Sequence, residues 1–228
     1  MRRGRFANRS FLYCEMKKEI LILSGPTHEY IDPVRFIGNA SSGKMGKALA
    51  EEAAGRGYKV EFITGPVAEE NLPDIEPCHI HKVTSAEEML ATAQEFSETP
   101  EIVIFAAAVA DYAPAEKMAE KMAKSGGELV LRLLPTPDIA RTLCAEKRDD
   151  QTAIGFALQT ADGEANARRK LKGKNLDGIV LNTPASLGAE NGTFSFLSRH
   201  TEDFDEWGCL DKTACAKKIF GAIDRLTA

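Results

Sequence analysis

Glu19-Ile-Leu-Ile-Leu-Ser-Gly-Pro-Thr27 is an apolar run that stops at a small-residue turn. A strand apolar on both faces belongs inside a parallel sheet with helices above and below it. The turn after such a strand lies at the carboxyl edge, where open α/β sheets bind their ligands. Outward from this run, residues 43–56 place Met45, Ala48, Leu49 and Ala53 on one helical face, with Gly57 as the stop. Lys59-Val-Glu-Phe-Ile-Thr64 reads as a second strand and residues 79–83 as a third. Ser85 followed by Glu88 is a capping box that opens a helix running to Phe96. Ile102-Val-Ile-Phe-Ala-Ala107 is a fourth strand, emptying into Ala108-Val-Ala-Asp-Tyr112. Residues 113–127, rich in Lys, Glu, Met, Ala and Gly, are expected to form a mobile flap.

Beyond the flap the pattern predicts a strand over 128–133 and a short helix with Thr136 as its cap and Pro137 at its first position. A strand over 153–158, a helix over 163–174, a strand over 178–181, a β segment over 193–197 and a closing helix over 211–226 follow. This alternation predicts an α/β, Rossmann-like three-layer sandwich with a mostly parallel sheet. Residues 1–17 lack periodicity and are expected to be a flexible leader to one domain over 18–228, with Met16 an equally good start.

The chain has 228 residues, room for one sizeable core and not for two full-sized domains. Its 29 Lys and Arg against 34 Asp and Glu give a net charge of −5, which argues against nucleic acid or an anionic membrane as the main partner. No apolar run approaches the roughly 18–20 residues of a membrane span, and the basic first residues precede only a short apolar stretch. The five cysteines form no C-x-x-C pair and are odd in number, as expected of reduced thiols in a cytoplasmic protein.

Three motifs invite readings that their details reject. Gly38-Asn-Ala-Ser-Ser-Gly-Lys44 fits most of the P-loop pattern, but its strand ends near Ser24 and Met45 stands where Ser or Thr would ligate Mg²⁺. Its small residues still open a helix, and the N–H groups of Ser42, Gly43 and Lys44 are candidates for holding an anion. Tyr112 lacks a lysine four residues on, and the first βα turn has no G-x-G-x-x-G, so a nicotinamide oxidoreductase is not expected. Cys78-His79-Ile-His81 puts at most two ligands on one face of a strand, too few for structural zinc.

The segments Ser24-Gly-Pro-Thr-His-Glu-Tyr-Ile-Asp-Pro-Val-Arg-Phe-Ile-Gly-Asn-Ala-Ser-Ser-Gly-Lys-Met-Gly46, Ala106-Ala-Ala-Val-Ala-Asp-Tyr112, Pro137-Asp-Ile139, Gly155-Phe156 and Ala167-Arg-Arg-Lys-Leu171 on to Lys174 closely resemble the phosphopantothenoylcysteine synthetases. The resemblance runs in unbroken order from about Glu19 to the C-terminus. It implies a ligase that joins 4′-phosphopantothenate to cysteine through an acyl-nucleotidylate, using CTP (ATP in eukaryotic relatives) with Mg²⁺ and releasing pyrophosphate. It also implies a homodimer, with a small β arm over residues 178–197 as the expected interface, and the ligase half alone, without the flavin-dependent decarboxylase to which many bacterial relatives are fused.

By the same resemblance Asn39 holds the acyl carbonyl for amine attack, its amide N–H serving a developing oxyanion. Arg35 is expected on a phosphate, and Asp32 is its alternative partner. Ser42, Gly43 and Ala107 fall in the substrate-binding segments and Asp111 at the nucleotide. Lys121 and Lys124 match the first and last lysines of a Lys-x-Lys-Lys flap whose leading lysine closes on the reacting phosphate. Pro137, Asp138, Ile139 and Ala140 are implied at the triphosphate, and Phe156, Lys170 and Lys174 at the nucleotide. Several positions depart from the pattern: Ala123 within the flap motif, Pro135-Thr136 for Lys-Asn, Gln159 for an acidic residue, Asn182-Thr-Pro for Asn-Asp-Val, and Gly188-Ala-Glu-Asn-Gly-Thr193 for Gly-Phe-x-Ser-Asp. These losses favour a competing reading, a nucleotide- or dinucleotide-binding module without ligase chemistry.

Overall fold

Ile20, Leu21, Ile22 and Leu23 are almost completely removed from solvent, and β1 (Glu19–Ser24) that carries them lies inside the main sheet. Burying each such side chain is worth about 1.5–3 kcal/mol, so this run anchors the core. The computed structural model describes residues 18–124, 126–158, 162–183 and 188–227; the expected leader lies outside them.

β1 pairs in parallel with β4 (Lys59–Thr64) on one side and β6 (Ile102–Phe105) on the other. β5 (Cys78–Lys82), β9 (Thr152–Leu158) and β10 (Gly178–Asn182) extend the parallel set, and β11 (Asn191–Ser198) and β12 (Asp205–Asp211) complete it in antiparallel fashion. The eight strands run in the order β12-β11-β10-β9-β6-β1-β4-β5. Helices α1 (Lys44–Gly55) and α5 (Lys212–Leu226) cover one face. Helices α2 (Ala86–Phe96), α3 (Ile139–Ala145) and α4 (Gly163–Gly173) cover the other. Each helix buries one apolar stripe, Leu49 and Ala53 of α1 or Ile219, Phe220 and Ile223 of α5, and this layering is the expected three-layer α/β sandwich.

Four parts differ from expectation. Residues 128–133 do not form a strand: Leu129 and Val130 are 61% and 81% exposed, and the pairing segment is β8 (Leu133–Pro135), which joins β7 (Tyr112–Pro114) in a separate two-stranded ribbon. A second ribbon, β2 (His28–Tyr30) with β3 (Phe36–Gly38), fills the long stretch before α1 and leans on the first. The cap of α3 is Asp138, whose carboxylate accepts from Arg141 N, because the Thr136 hydroxyl is turned away to donate to the Ala110 carbonyl at 2.5 Å. Residues 178–197, expected as an arm, contribute β10 and β11 to the main sheet, with Phe194, Phe196 and Leu197 in the core.

The histidines of the Cys78-His79-Ile-His81 run hold a buried carboxylate between them. Glu61 accepts from His79 Nδ1 at 2.9 Å and His81 Nε2 at 2.8 Å and lies 3.2 Å from Lys59 Nζ. Burial opposes ionisation of Glu61, but His81, His79 and Lys59 together hold its carboxyl below the usual range.

Candidate active site

The first crossover, through α1, leaves β1 on one face of the sheet, while the chain entering β6 from α2 comes from the other. Connections departing in opposite directions open a crevice at the carboxyl ends of β1 and β6, the usual ligand position of an open α/β sheet. The two turns are stitched together there: Ala108 N donates to the Gly25 carbonyl at 2.8 Å, and Ala110 N to Thr27 Oγ1 at 2.9 Å. The helix after β1 can crowd this edge because Gly46 has no side chain; a Cβ there would stand 1.9 Å from Ser24 Oγ.

A cavity of about 620 Å³ occupies the crevice. It gathers Asn39, Ser42 and Gly43 from the start of α1, Ala107 and Asp111 from the turn after β6, Pro137, Asp138, Ile139 and Ala140 from the start of α3, Phe156 from β9, and Lys170 and Lys174 from the end of α4. Every one of these was singled out from the sequence. Arg35, Lys121 and Lys124 do not line it.

Asn39 Nδ2 donates to the carbonyls of Ala108 at 3.2 Å and Val109 at 2.9 Å. Both amide hydrogens, expected to serve an oxyanion, are therefore engaged by the β6 turn, and the side chain offers its Oδ1 as an acceptor. Lys174 donates to Asp138 Oδ1 at 2.8 Å, so one carboxylate caps α3 and pairs with the end of α4. Burial lowers the Lys170 ammonium from its ordinary value, and the neighbouring Lys174 lowers it further, against the raising influence of Asp111 and Asp138.

Arg35 takes the alternative partner: its Nη1 donates to Asp32 Oδ2 at 2.6 Å. The buried Asp32 carboxylate also accepts from the backbone N–H groups of Val34, Arg35 and Met122, and Arg35 reaches the Met122 carbonyl at 3.3 Å. With Met118 N bonded to the Ile31 carbonyl, these contacts dock the flap on the loop between β2 and β3. Lys121 is carried on that docked flap, exposed to solvent.

The sequence reading missed Lys212, at the first position of α5, and Asn182, at the end of β10, both of which line the cavity. Recognising β12 was the signal needed for Lys212, since a strand running parallel to β10 delivers the next helix to the same carboxyl edge.

Fold and site together define an α/β protein whose anion-ready crevice lies where the strand order turns over. Residues 16–226 match the DNA/pantothenate metabolism flavoprotein C-terminal domain, and the chain belongs to that family. It is 43% identical over 216 residues, 92% of its length, to the Coenzyme A biosynthesis bifunctional protein CoaBC of Bacillus subtilis (strain 168), covering 52% of that protein. It is 45% identical over 175 residues, 77% of its length, to a prokaryotic Cysteine/Cysteine sulfinic acid decarboxylase, covering 48% of it. The chain thus spans about half the length of these curated relatives. Among solved structures, the C-terminal domain of Coenzyme A biosynthesis bifunctional protein CoaBC superposes with a TM-score of 0.77 at 37% identity, over 92% of this chain and 95% of that one.

Proposed function

We propose that this chain is a phosphopantothenate–cysteine ligase of coenzyme A biosynthesis, working through an acyl-nucleotidylate formed with CTP or ATP. The observation that carries the reading is the convergence of Asn39, Asp111, Asp138, Phe156, Lys170 and Lys174, from separate sequence blocks, on one cavity. Attack of a carboxylate on the α-phosphate needs the triphosphate held and its charge offset, which Lys170 and Lys174 supply beside Pro137, Ile139 and Ala140, while Asp138 caps α3 and orients Lys174. Asp111, at the carboxyl edge, suits a ribose hydroxyl, and Phe156 gives the nucleotide an apolar neighbour. In the second step the cysteine amine displaces the nucleotide. Asn39 Oδ1, fixed by the two carbonyl contacts, accepts an N–H of the attacking amine and so orients its lone pair. Ser42 offers its backbone N–H to the acyl substrate, Gly43, whose own N–H donates to Ser41 Oγ at 3.4 Å, keeps the wall beside it free of a side chain, and Lys121 reaches the reacting phosphate when the flap moves over the crevice.

Mg²⁺ is expected to travel with the triphosphate. Among the described residues no group of three or more His, Cys, Asp or Glu forms a metal site. The carboxylates lining the cavity are Asp111 and Asp138, and Asp138 is engaged by Lys174, so Asp111 is the residue that fits such an ion. Bound there, the ion supplies charge neutralisation of the phosphates. The condensation is redox-neutral and calls for no flavin.

The protein is further proposed to act as a cytoplasmic homodimer on small-molecule substrates, without nucleic acid or membrane partners; among the described residues no helix is long and apolar enough to cross a membrane. The surface that supports dimerisation is not residues 178–197 but the two ribbons, where Val34, Phe36, Tyr112 and Leu134 are exposed together with Leu129 and Val130. Leu134→Asp with Val130→Asp should convert the dimer to monomer in sedimentation; an unchanged mass rejects that surface.

Pyrophosphate release tests the ligase. With Mg²⁺ and CTP or ATP it should require 4′-phosphopantothenate, and nucleotide binding without turnover would overturn the reading in favour of a binding module. Asn39→Asp should consume nucleotide but stall before the amide forms, because a carboxylate cannot donate to the Ala108 and Val109 carbonyls. Lys121→Gln should slow the first step.

A further inference from the structure

The cavity has a second cationic wall, opposite Lys170 and Lys174. Lys44, the first residue of α1, and Lys212, the first residue of α5, both line it from the face those helices cover. The two helices pack side by side, so their starts are held together at the same edge. Lys212 lines the cavity with its Nζ 5.1 Å from the Phe194 ring centroid, a cation–π contact that holds the side chain at this wall. Lys44 is paired with Glu190, whose side chain is 76% exposed against 30% for the lysine. Such a carboxylate returns to water at little cost when another anion replaces it. Burial lowers the Lys212 ammonium from its ordinary value, Cys215 and then Glu190 counter this, and Lys44 adds to it, so Lys44 and Glu190 are close enough for Lys212 to sense both.

We propose that Lys212 and Lys44 form a phosphate-binding subsite on this wall, with Glu190 as the counter-ion that an arriving phosphate displaces. The inference rests on the ligase reading above and extends it to residues that no resemblance assigned. Two substrate groups share the chemistry this subsite recognises: the phosphates of the nucleotide and the phosphomonoester of the acyl substrate. Arg35, the other candidate for the latter, is turned to Asp32 and the flap.

The test is direct binding, by calorimetry, of CTP, ATP, 4′-phosphopantothenate and pantothenate to the full chain and to Lys212→Met, Lys212→Arg and Glu190→Gln. Lys212→Met removes the charge but leaves an unbranched apolar side chain beside Phe194, and its melting temperature reports whether the fold is intact. Loss of a charge-assisted contact should weaken one phosphate-bearing ligand by about tenfold to a hundredfold. Lys212→Arg should restore most of that affinity, and Glu190→Gln should tighten the same ligand a few-fold. If the ligand affected is the nucleotide, the subsite takes its phosphates; if 4′-phosphopantothenate weakens while pantothenate does not, it takes the phosphomonoester. Unchanged affinity of Lys212→Met for all four ligands overturns the proposal. Wild-type binding without turnover fails the ligase reading but leaves the subsite to be judged on the same affinities. A wild-type chain that binds no phosphate-bearing ligand overturns both.

Discussion

Helix α2 opens on Ser85, whose Oγ accepts from Glu88 N at 3.2 Å while the Glu88 carboxylate accepts from Ser85 N at 3.3 Å; helix α1 opens on Gly43, with φ of 79° and no side-chain cap. The two starts also differ in charge. The first turn of α2 carries Glu87 and Glu88, and the Glu29 carboxylate accepts from Ala86 N at 2.9 Å, whereas the first turn of α1 carries no acid. A helix start whose donors are satisfied by its own side chains has nothing left for a ligand. One left uncapped beside a cavity keeps its donors and its dipole for an incoming anion. The α2 start therefore contributes stability, and on the proposed reading the α1 start serves binding.

The largest effect that would sharpen this contrast is expected from Gly46→Ala. Its Cβ would meet Ser24 Oγ at 1.9 Å and Ser24 Cβ at 2.4 Å, so α1 must move off the end of β1. Overpacking of this kind costs about 1–3 kcal/mol, and thermal melting and nucleotide affinity should fall together. Gly43→Ala comes next: a left-handed residue with a side chain costs about 1–2 kcal/mol, and this Cβ would also stand 2.8 Å from Val67 Cγ1. Relief of that strain rotates the first amides of α1 away from the cavity, so substrate affinity should fall by more than the stability loss requires. Ser85→Ala should cost about 1 kcal/mol by denaturant unfolding and leave ligand affinity untouched. Altered affinity in Ser85→Ala, or unaltered affinity in Gly43→Ala, would break the contrast.

Local signals explain what was legible beforehand. The Glu19–Ser24 and Lys59–Thr64 strands appear with their observed bounds because a central parallel strand is apolar on both faces and bounded by turn residues. Ser85 and Glu88 mark α2 because a capping box is written within four residues. The part of the cavity wall made by Asn39, Asp111, residues 137–140, Phe156, Lys170 and Lys174 was legible because these residues fall in contiguous motifs that carry the family resemblance; Lys212 and Asn182 lie outside such motifs. What escaped depended on distant partners. β12 lacks a clean alternation, contains Gly208 at a φ of 74°, and faces a register shift at Phe194 and Ser195. The ribbon strand Leu133–Pro135 has no buried face to impose a period. Arg35 chose Asp32 and Met122, a partner 87 residues away that no spacing announces.

The smallest effect concerns the opposite wall, where Lys170 is proposed to hold the nucleotide by charge and not through an open helix start. Its ammonium lies below the ordinary value of 10.5, chiefly through burial and then through Lys174, with Asp111 and Asp138 pulling it back and Arg169 adding to the depression. The sign follows from linkage. A bound polyanion favours the charged lysine, so binding takes up a proton wherever the free protein has begun to lose it. Nucleotide affinity should therefore hold steady from about pH 7.5, where the terminal phosphate is already ionised with its pKa near 6, and decline on the alkaline side, beginning below pH 10.5 and by at most about tenfold per pH unit for one group. Stability without ligand runs the other way. A lysine with a depressed folded-state value binds fewer protons than the unfolded chain across that window, so the free protein gains stability as pH rises through it. Lys170→Arg, which does not titrate there, should flatten both trends apart from the part contributed by Lys212, whose ammonium is also depressed. An alkaline profile identical in wild type and Lys170→Arg would remove Lys170 from the anion wall.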